Sequence, residues 1–174
     1  LLLKRMNRRG DPEKTRQLLH RAREMGFTLR TTFIVGFPGE TDEQFAHLMG
    51  FVREIQFDRL GAFTYSPEED TPAARMDGQL PEEIKQKRLD ELMTAQQAIS
   101  LERNRLRIGT EEKVLVETVD GKGRGVGRSA QEAPDTDGVI KLTGVSEADL
   151  GQFVRARITD AEIYDLRAER IRED

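Results

Sequence analysis

The chain of 174 residues contains no cysteine, which excludes several kinds of chemistry from these residues. Without thiols it can form no disulfide, and it offers no cysteine nucleophile and no cysteine ligand for zinc or an iron–sulfur cluster. Long apolar runs are also missing, since none approaches the roughly 20 residues of a membrane-spanning helix. The three leucines at the start are too few for a secretion signal. We therefore expect no membrane attachment and a cytoplasmic location.

The sequence also lacks a large excess of positive or of negative residues. The sequence carries 28 lysines and arginines against 32 aspartates and glutamates, which gives a formal net charge of −4. No overall basic field therefore attracts the chain to nucleic acid or to anionic lipid. The length predicts either one domain or two small ones.

The first 108 residues alternate between helical and strand patterns. A helix is predicted after the Asp11-Pro12 pair, because aspartate can cap the first turn and proline fits its first position. A strand buried on both faces is predicted at 27–35. A second helix, with a capping box at Thr41 and Gln44, and a strand at 57–65 follow. Such alternation with short loops is typical of parallel strands covered by helices.

A third, longer helix is predicted over 81–108. Its apolar residues, among them Leu92 and Leu106, are expected to face inward. Its charged residues, among them Lys85 and Arg88, are expected to form a solvated surface.

The pattern changes after residue 108. Short alternating runs separated by glycine and aspartate turns, the last of them at Ile163-Tyr164, are typical of a small antiparallel barrel of five strands. We therefore place a domain boundary at 108–110, with the α/β part over 1–108 and the barrel over 109–174.

The bend after the first predicted strand is the strongest candidate for a binding site. Here Ile34 leads into a loop with Gly36 and Gly39, and the next helix then presents its free N–H groups. In α/β folds ligands sit beyond the carboxyl ends of strands, and glycine lets the backbone approach them closely. The same spacing also fits a tight turn without a ligand. Glu40 can bind a hydroxyl group of a ligand or act as a favourable charge at the helix N-terminus, and we prefer the second interpretation.

Two further segments are candidates for binding. The basic cluster at 4–10 includes Arg8, which can bind a carboxylate or phosphate, although such runs are more often solvated. The second predicted strand ends at Tyr65 and Ser66, at the same edge of the sheet as Gly36. An aromatic ring there can flank a planar ligand or simply belong to the core.

In the predicted barrel, residues 120–128 mix glycine with basic residues. The run can be a loop that contacts phosphates, or a wide hairpin in which glycine takes positive φ angles. Residues 109–174 hold 10 basic and 15 acidic residues, so we favour the hairpin and expect an acidic surface suited to a basic protein. His20 and His47 form no triad and no metal-ligand pattern, and we predict no metal site in the chain.

Three runs of the sequence resemble one known family. They are LKRMNR at 3–8, IVGFPGET at 34–41 and YSPEEDTPAA at 65–74. Together they are similar to the later half of the radical S-adenosylmethionine methylthiotransferases, and the part after residue 109 resembles the TRAM domain that follows the radical core. A stretch at 127–138 resembles the branch that modifies an aspartate of the small-subunit ribosomal protein numbered twelve.

The resemblance implies a partial (β/α) radical barrel followed by an OB-like TRAM barrel. It also implies S-adenosylmethionine and two four-iron (4Fe-4S) clusters as cofactors, and the ribosomal protein as partner. Each cluster would be held by three cysteines upstream of this segment, so we expect the chain alone to be inactive and assign no catalytic residue. Carried over by position, Ile34, Gly36, Tyr65 and Ser66 would line the adenine side of the cofactor. Arg8 would meet its methionine carboxylate.

Two alternatives remain open. The chain can come from the tRNA-modifying branch of the same family, whose TRAM domain binds RNA, although the acidic balance of 109–174 makes RNA the less favoured partner. It can also be part of a (β/α) metabolic enzyme with a fused barrel and no radical chemistry. In each case half a parallel barrel leaves open strand edges and an uncovered apolar face, so we predict that the chain associates.

Overall fold

The computed structural model describes residues 5–6 and 10–172. The chain divides into two compact units, Leu1–Ile99 and Ser100–Asp174. The first combines helices with two strands, and the second is built around a barrel. Among the described residues, no helix combines the length and the apolar character that crossing a membrane requires.

The first unit contains a parallel pair of strands in the described residues. Arg30 lies opposite Arg59 at one end of the pair, and Val35 lies opposite Thr64 at the other. The elements in chain order are α1 (Pro12–Glu24), β1 (Arg30–Val35), α2 (Asp42–Ile55), β2 (Arg59–Thr64) and α3 (Glu82–Arg105).

Both α1 and α2 begin where the sequence provides a capping residue. The side chain of Asp11 accepts a hydrogen bond from the backbone N–H of Glu13 at 3.0 Å. Thr41 and Gln44 form a reciprocal capping box, with side-chain to backbone distances of 3.2 and 3.1 Å. These bonds satisfy N–H groups that the first turn of a helix leaves free, so both predicted helix starts are confirmed.

The two faces of the sheet in the first unit differ in burial. One face packs against α2 and α3, and the buried members of this core are Val35, Phe45, Met49, Val52 and Leu92. On the other face Ile34 and Phe63 lie opposite each other on the paired strands and are 45% and 63% exposed. Among the described residues, this face of the sheet is therefore open and has an apolar patch at Ile34 and Phe63, as predicted for part of a parallel barrel. The expected burial of β1 on both faces is wrong, because its burial alternates along the strand.

The inward face of α3 differs from the prediction. The helix ends at Arg105 and not at 108, so Leu106, expected inside, lies in the following turn and is 62% exposed. The buried positions on the helix follow a spacing of three or four residues and most of them are polar: Lys85, Arg88, Leu92, Gln96, Ser100 and Asn104. These polar groups can be buried because they form hydrogen bonds, such as that from Gln96 Nε2 to the carbonyl oxygen of Phe57 at 2.8 Å.

The second unit is a closed barrel of five strands in the order β3-β4-β5-β7-β6. Four neighbouring pairs are antiparallel, whereas β5 and β7 run parallel. The prediction of a strand at Ile163-Tyr164 is wrong, because both residues lie in an exposed turn before the last strand. The strands are β3 (Glu111–Val119), β4 (Arg124–Arg128), β5 (Ile140–Thr143), β6 (Phe153–Ala161) and β7 (Leu166–Arg170).

The barrel has its own apolar core. The buried members are Val114, Val116, Ile140, Leu142, Val145, Val154, Ala156, Ile158, Leu166 and Ala168. Strand β4 contributes glycines where no side chain fits, since a Cβ atom on Gly127 would lie 2.2 Å from the carbonyl oxygen of Leu115. The predicted fold class, an α/β segment followed by a small five-stranded barrel, is confirmed.

Candidate functional site

The loop after β1 is folded around the side chain of Glu40. Gly36 and Gly39 have φ angles of 76° and 77°, a region that glycine adopts without steric cost. The N–H of Gly36 donates to Oε1 of Glu40 at 3.0 Å, and the N–H of Glu40 donates to the carbonyl oxygen of Phe37 at 2.8 Å. Glu40 is only 8% exposed. Its carboxylate therefore organises the loop, a role that its interpretation as a helix-terminal charge did not include.

Arg88 on α3 binds the same carboxylate. Its Nη1 donates to Oε1 of Glu40 at 2.7 Å and to the carbonyl oxygen of Glu40 at 3.2 Å. Its Nη2 donates to Oδ1 of Asp42 at 2.7 Å, and its guanidinium carbon lies 5.5 Å from the ring centre of Phe45. The predicted solvated position of Arg88 is therefore wrong. The charge can be buried because two carboxylates and an aromatic ring surround it.

Lys85, one helical turn before Arg88, contacts residues that follow both strands. Its Nζ donates to the carbonyl oxygen of Tyr65 at 3.0 Å and lies 2.6 Å from the carboxylate of Glu82. Its aliphatic stem fills the space beside Gly36, where an added Cβ atom would lie 2.3 Å from Cγ of Lys85. The predicted solvated position of Lys85 is also wrong, since the residue is 6% exposed.

Tyr65 extends the pairing of β2 with β1 and packs against the loop. Its N–H donates to the carbonyl oxygen of Val35 at 2.8 Å. Its ring meets that of Phe37 edge to face, with the ring centres 5.2 Å apart. The residue is 9% exposed, and its hydroxyl is buried with no hydrogen-bond partner among the described residues. Such a hydroxyl is costly unless a partner binds it, so it indicates a place for a ligand group or a water molecule.

The structure brings several of the predicted cofactor-binding residues to one edge of the sheet. Gly36 and Tyr65 directly follow the paired strands, and Ser66 comes next in the chain and is exposed. Ile34 lies on the open face of the sheet. Arg8 falls outside the described residues. Binding of a cofactor by these five residues stays a prediction.

Sequence reasoning missed Lys85 and Arg88. Basic residues on a long charged helix are usually solvated, and nothing local to 81–108 shows that the loop at Glu40 lies against them. The one available signal was spacing, because positions three and four residues apart share a helix face, which groups both residues with Leu92.

In the barrel, residues 120–128 contain the hairpin between β3 and β4, as predicted. Oδ1 of Asp120 accepts hydrogen bonds from the backbone N–H groups of Lys122 and Arg124 at 2.8 and 3.1 Å. Gly121 and Gly123 have φ angles of 69° and 85°. Turn geometry therefore accounts for Gly121 and Gly123.

The stretch at 127–138 is anchored by a buried ion-pair network at Arg107. The guanidinium donates to both oxygens of Glu112 at 2.8 and 2.7 Å and to Oε1 of Glu132 at 2.6 Å. Oε2 of Glu132 accepts from the N–H and the hydroxyl of Ser129 at 2.9 and 2.7 Å. Burial by itself would raise the pKa of Glu132, but hydrogen bonds from Arg107 and Ser129 and the charge of Arg107 lower it below its usual value. The carboxylate therefore stays ionised at neutral pH.

Two protein-family models match different parts of the chain. Residues 1–52 match the family model for the radical SAM superfamily, and residues 108–171 match the model for the TRAM domain. The chain is therefore similar to a radical SAM segment, which includes the glycine loop, followed by a TRAM domain. The first match counts against the alternative of a metabolic enzyme without radical chemistry.

Individual relatives narrow the class further. The chain is 52% identical over 95% of its length to the ribosomal protein uS12 methylthiotransferase RimO of Syntrophotalea carbinolica. It is 50% identical over 95% of its length to that of Geobacter sulfurreducens, and 46% identical over 97% to that of Desulfitobacterium hafniense. The chain spans 37–38% of the length of these relatives. The predicted resemblance to methylthiotransferases of the RimO branch is confirmed.

Proposed function

We propose that this chain is part of a radical S-adenosylmethionine enzyme that attaches a methylthio group to the β-carbon of an aspartate in ribosomal protein uS12. The observation that carries the proposal is an identity of 46–52% with three uS12 methylthiotransferases over at least 95% of the chain. The proposed setting is the cytoplasm, where the ribosomal substrate is found.

The edge of the sheet beyond β1 and β2 supports binding of S-adenosylmethionine. The buried hydroxyl of Tyr65 has no partner among the described residues and can bind a polar group of the nucleoside. Ile34, two residues before Gly36, and Ser66, directly after Tyr65, are both exposed and offer an apolar and a polar contact to the adenosine. Arg8 is the proposed partner of the methionine carboxylate. When bound, S-adenosylmethionine would supply the hydrogen-abstracting radical chemistry that the family resemblance implies.

The residues of this chain do not fit the iron–sulfur clusters. The sequence contains no cysteine, so the ligands of the two proposed four-iron clusters must come from residues outside it. We therefore assign no catalytic residue to this chain. We expect the chain alone to be inactive and to contribute the cofactor-binding edge and the TRAM barrel.

The TRAM barrel is the proposed docking surface for uS12. Residues 109–174, which we take as a domain after a boundary at 108–110, hold 10 basic and 15 acidic residues. This acidic balance favours a basic protein partner and disfavours a polyanion such as tRNA.

The test is to produce the full-length protein that contains this segment in cells that lack their own uS12 methylthiotransferase. Mass spectrometry of uS12 should show one methylthio group on an aspartate, and cells without the protein serve as the control. Methylthio groups on tRNA nucleosides with unmodified uS12 would overturn the proposal in favour of the tRNA-modifying branch. Modification of neither substrate would overturn methylthio transfer altogether.

A further inference from the structure

Two buried basic side chains of α3 contact the residues that follow β1 and β2, where we propose that the cofactor binds. Lys85 and Arg88 are each only 6% exposed. Lysine and arginine are seldom buried unless they are paired, and burial of such charges is costly when partners are missing. Here the partners belong to the loop after β1 and to the residue that follows β2. Lys85 and Arg88 together form the basic pair.

We propose that the basic pair positions the nucleoside-binding edge of this enzyme. Arg88 fixes the loop at Gly36 through Glu40, and Lys85 fixes the backbone at Tyr65. Neither residue is proposed to touch the reacting atoms, so both are positioning residues and not catalytic ones. The inference rests on the proposed function, because it assumes that S-adenosylmethionine binds at this edge.

Arg88 acts through a carboxylate oxygen that it shares with the loop. Oε1 of Glu40 accepts from Nη1 of Arg88 at 2.7 Å and from the N–H of Gly36 at 3.0 Å. Without the guanidinium, a carboxylate that is 4% exposed would lose its cation. It would then move towards water, which weakens its bond to Gly36.

Lys85 links the residues beyond the two strands. Its Nζ donates to the carbonyl oxygen of Tyr65 at 3.0 Å, while its stem occupies the space beside Gly36. Shortening or neutralising this side chain would leave the Tyr65 carbonyl without its donor and open space beside Gly36. Both changes would allow the Tyr65 ring and hydroxyl to move away from the place where the nucleoside binds.

The test measures binding of S-adenosylhomocysteine, an unreactive analogue of the cofactor, to the full-length protein with its clusters in place. Arg88→Met and Lys85→Met should each weaken binding by about tenfold or more, because small displacements of a preformed site have large effects. Arg88→Lys should weaken binding less, since lysine can pair with Glu40 but cannot bridge Glu40 and Asp42 as a planar fork.

Gln96→Met is the matched control. Gln96 lies on the same helix, is 2% exposed and donates to the carbonyl oxygen of Phe57 at 2.8 Å, away from the loop at Glu40. It should also lower Tm, yet leave the affinity within about twofold of the unsubstituted protein. In hydrogen exchange, the amide of Gly36 should exchange faster in Arg88→Met and not in Gln96→Met.

The proposal is overturned if folded Arg88→Met and Lys85→Met bind the analogue as tightly as the unsubstituted protein. It is also overturned if Gln96→Met weakens binding equally, because the effect would then follow stability alone. If the unsubstituted protein does not bind the analogue, the failure lies with the proposed function.

Discussion

Glu40 shows how one carboxylate connects residues that are far apart in the chain. It lies four positions after Gly36 and 48 before Arg88, and its Oε1 accepts a hydrogen bond from each. Ionised acceptors form stronger hydrogen bonds than neutral ones, so the loop is held by more than its glycine turns. The positive φ angles permit the shape of the loop, and the buried ion pair stabilises it.

In the barrel, the position of Gly127 has no room for a side chain. A Cβ atom there would lie 2.2 Å from the carbonyl oxygen of Leu115 and 2.9 Å from Cγ1 of Val114. Because the nearest atom belongs to the backbone of a paired strand, Gly127→Ala should lower the free energy of unfolding of the barrel by about 2 kcal/mol. Chemical denaturation of the chain measures this change.

Gly123→Asn is the control for Gly127→Ala. Gly123 also has a special requirement, a φ of 85°, but an added Cβ atom there would meet nothing within 4 Å. Asparagine tolerates this φ region better than other residues with a side chain, so the substitution should cost clearly less stability than Gly127→Ala. Equal stabilities of the two variants would contradict the steric argument.

At the scale of elements, the network around Arg107 joins the segment after α3 to β3 and to the loop after β4. As at Glu40 and Arg88, a buried arginine here fixes a loop through a glutamate. The contribution of this network to stability can be measured by its pH dependence, since the pKa of Glu132 is lowered in the folded protein.

The stability of the barrel should therefore depend on pH through Glu132. An unfolded glutamate titrates near pH 4.3, and the folded pKa lies below that value, so the stabilisation is complete above about pH 5 and is lost as the pH falls through the folded pKa. Glu132→Gln should lower the unfolding free energy by about 2 kcal/mol at neutral pH, because Arg107 loses a buried charged partner. The pH dependence below about pH 5 should also become shallower.

Glu111→Gln is the control for this pH dependence. Glu111 pairs with Arg155 and Arg157 at 2.6 and 2.7 Å, and hydrogen bonds from Arg157 and then Arg155 lower its pKa as well. Its side chain is 35% exposed, so solvent screens the pair and the loss of stability should be much smaller. Denaturation curves recorded from pH 3 to 7 compare the variants, and equal losses would contradict the role of burial.

The elements themselves were largely predictable from local patterns. Asp11 and Thr41 identify the starts of α1 and α2, and the run before Gly36 identifies β1, because capping and β propensity depend on neighbouring residues. The last strand was misplaced because Ile163 and Tyr164 are apolar in sequence but occupy an exposed turn.

The polar part of the candidate site could not be predicted in the same way. The basic pair meets its partners through tertiary packing, and such contacts leave no local pattern. Its burial contradicts the general preference of lysine and arginine for the surface. The edge with Gly36 and Tyr65 was predictable, because parallel strands place their carboxyl ends together.

At the scale of the whole molecule, the open face of the sheet should drive association. Ile34 and Phe63 are exposed on paired strands, and in the described residues the sheet has only these two strands. Sedimentation of the 174-residue chain should therefore show concentration-dependent oligomers.

Phe63→Ser tests the source of this association. The substitution removes the more exposed of the two apolar side chains and should shift the chain towards monomer. Leu18→Ser, at a position on α1 that is 66% exposed, is the control and should leave the oligomers unchanged. A chain that sediments as a monomer at all concentrations would contradict the prediction.

The position of β7 has a consequence for how the barrel forms during protein synthesis. The last strand in the sequence lies between β5 and β6 in the ring, and it pairs in parallel with one and antiparallel with the other. While a ribosome is still translating residues 166–170, the earlier four strands cannot form a complete ring. Until then, β5 and β6 each keep a row of backbone donors and acceptors available to neighbouring chains.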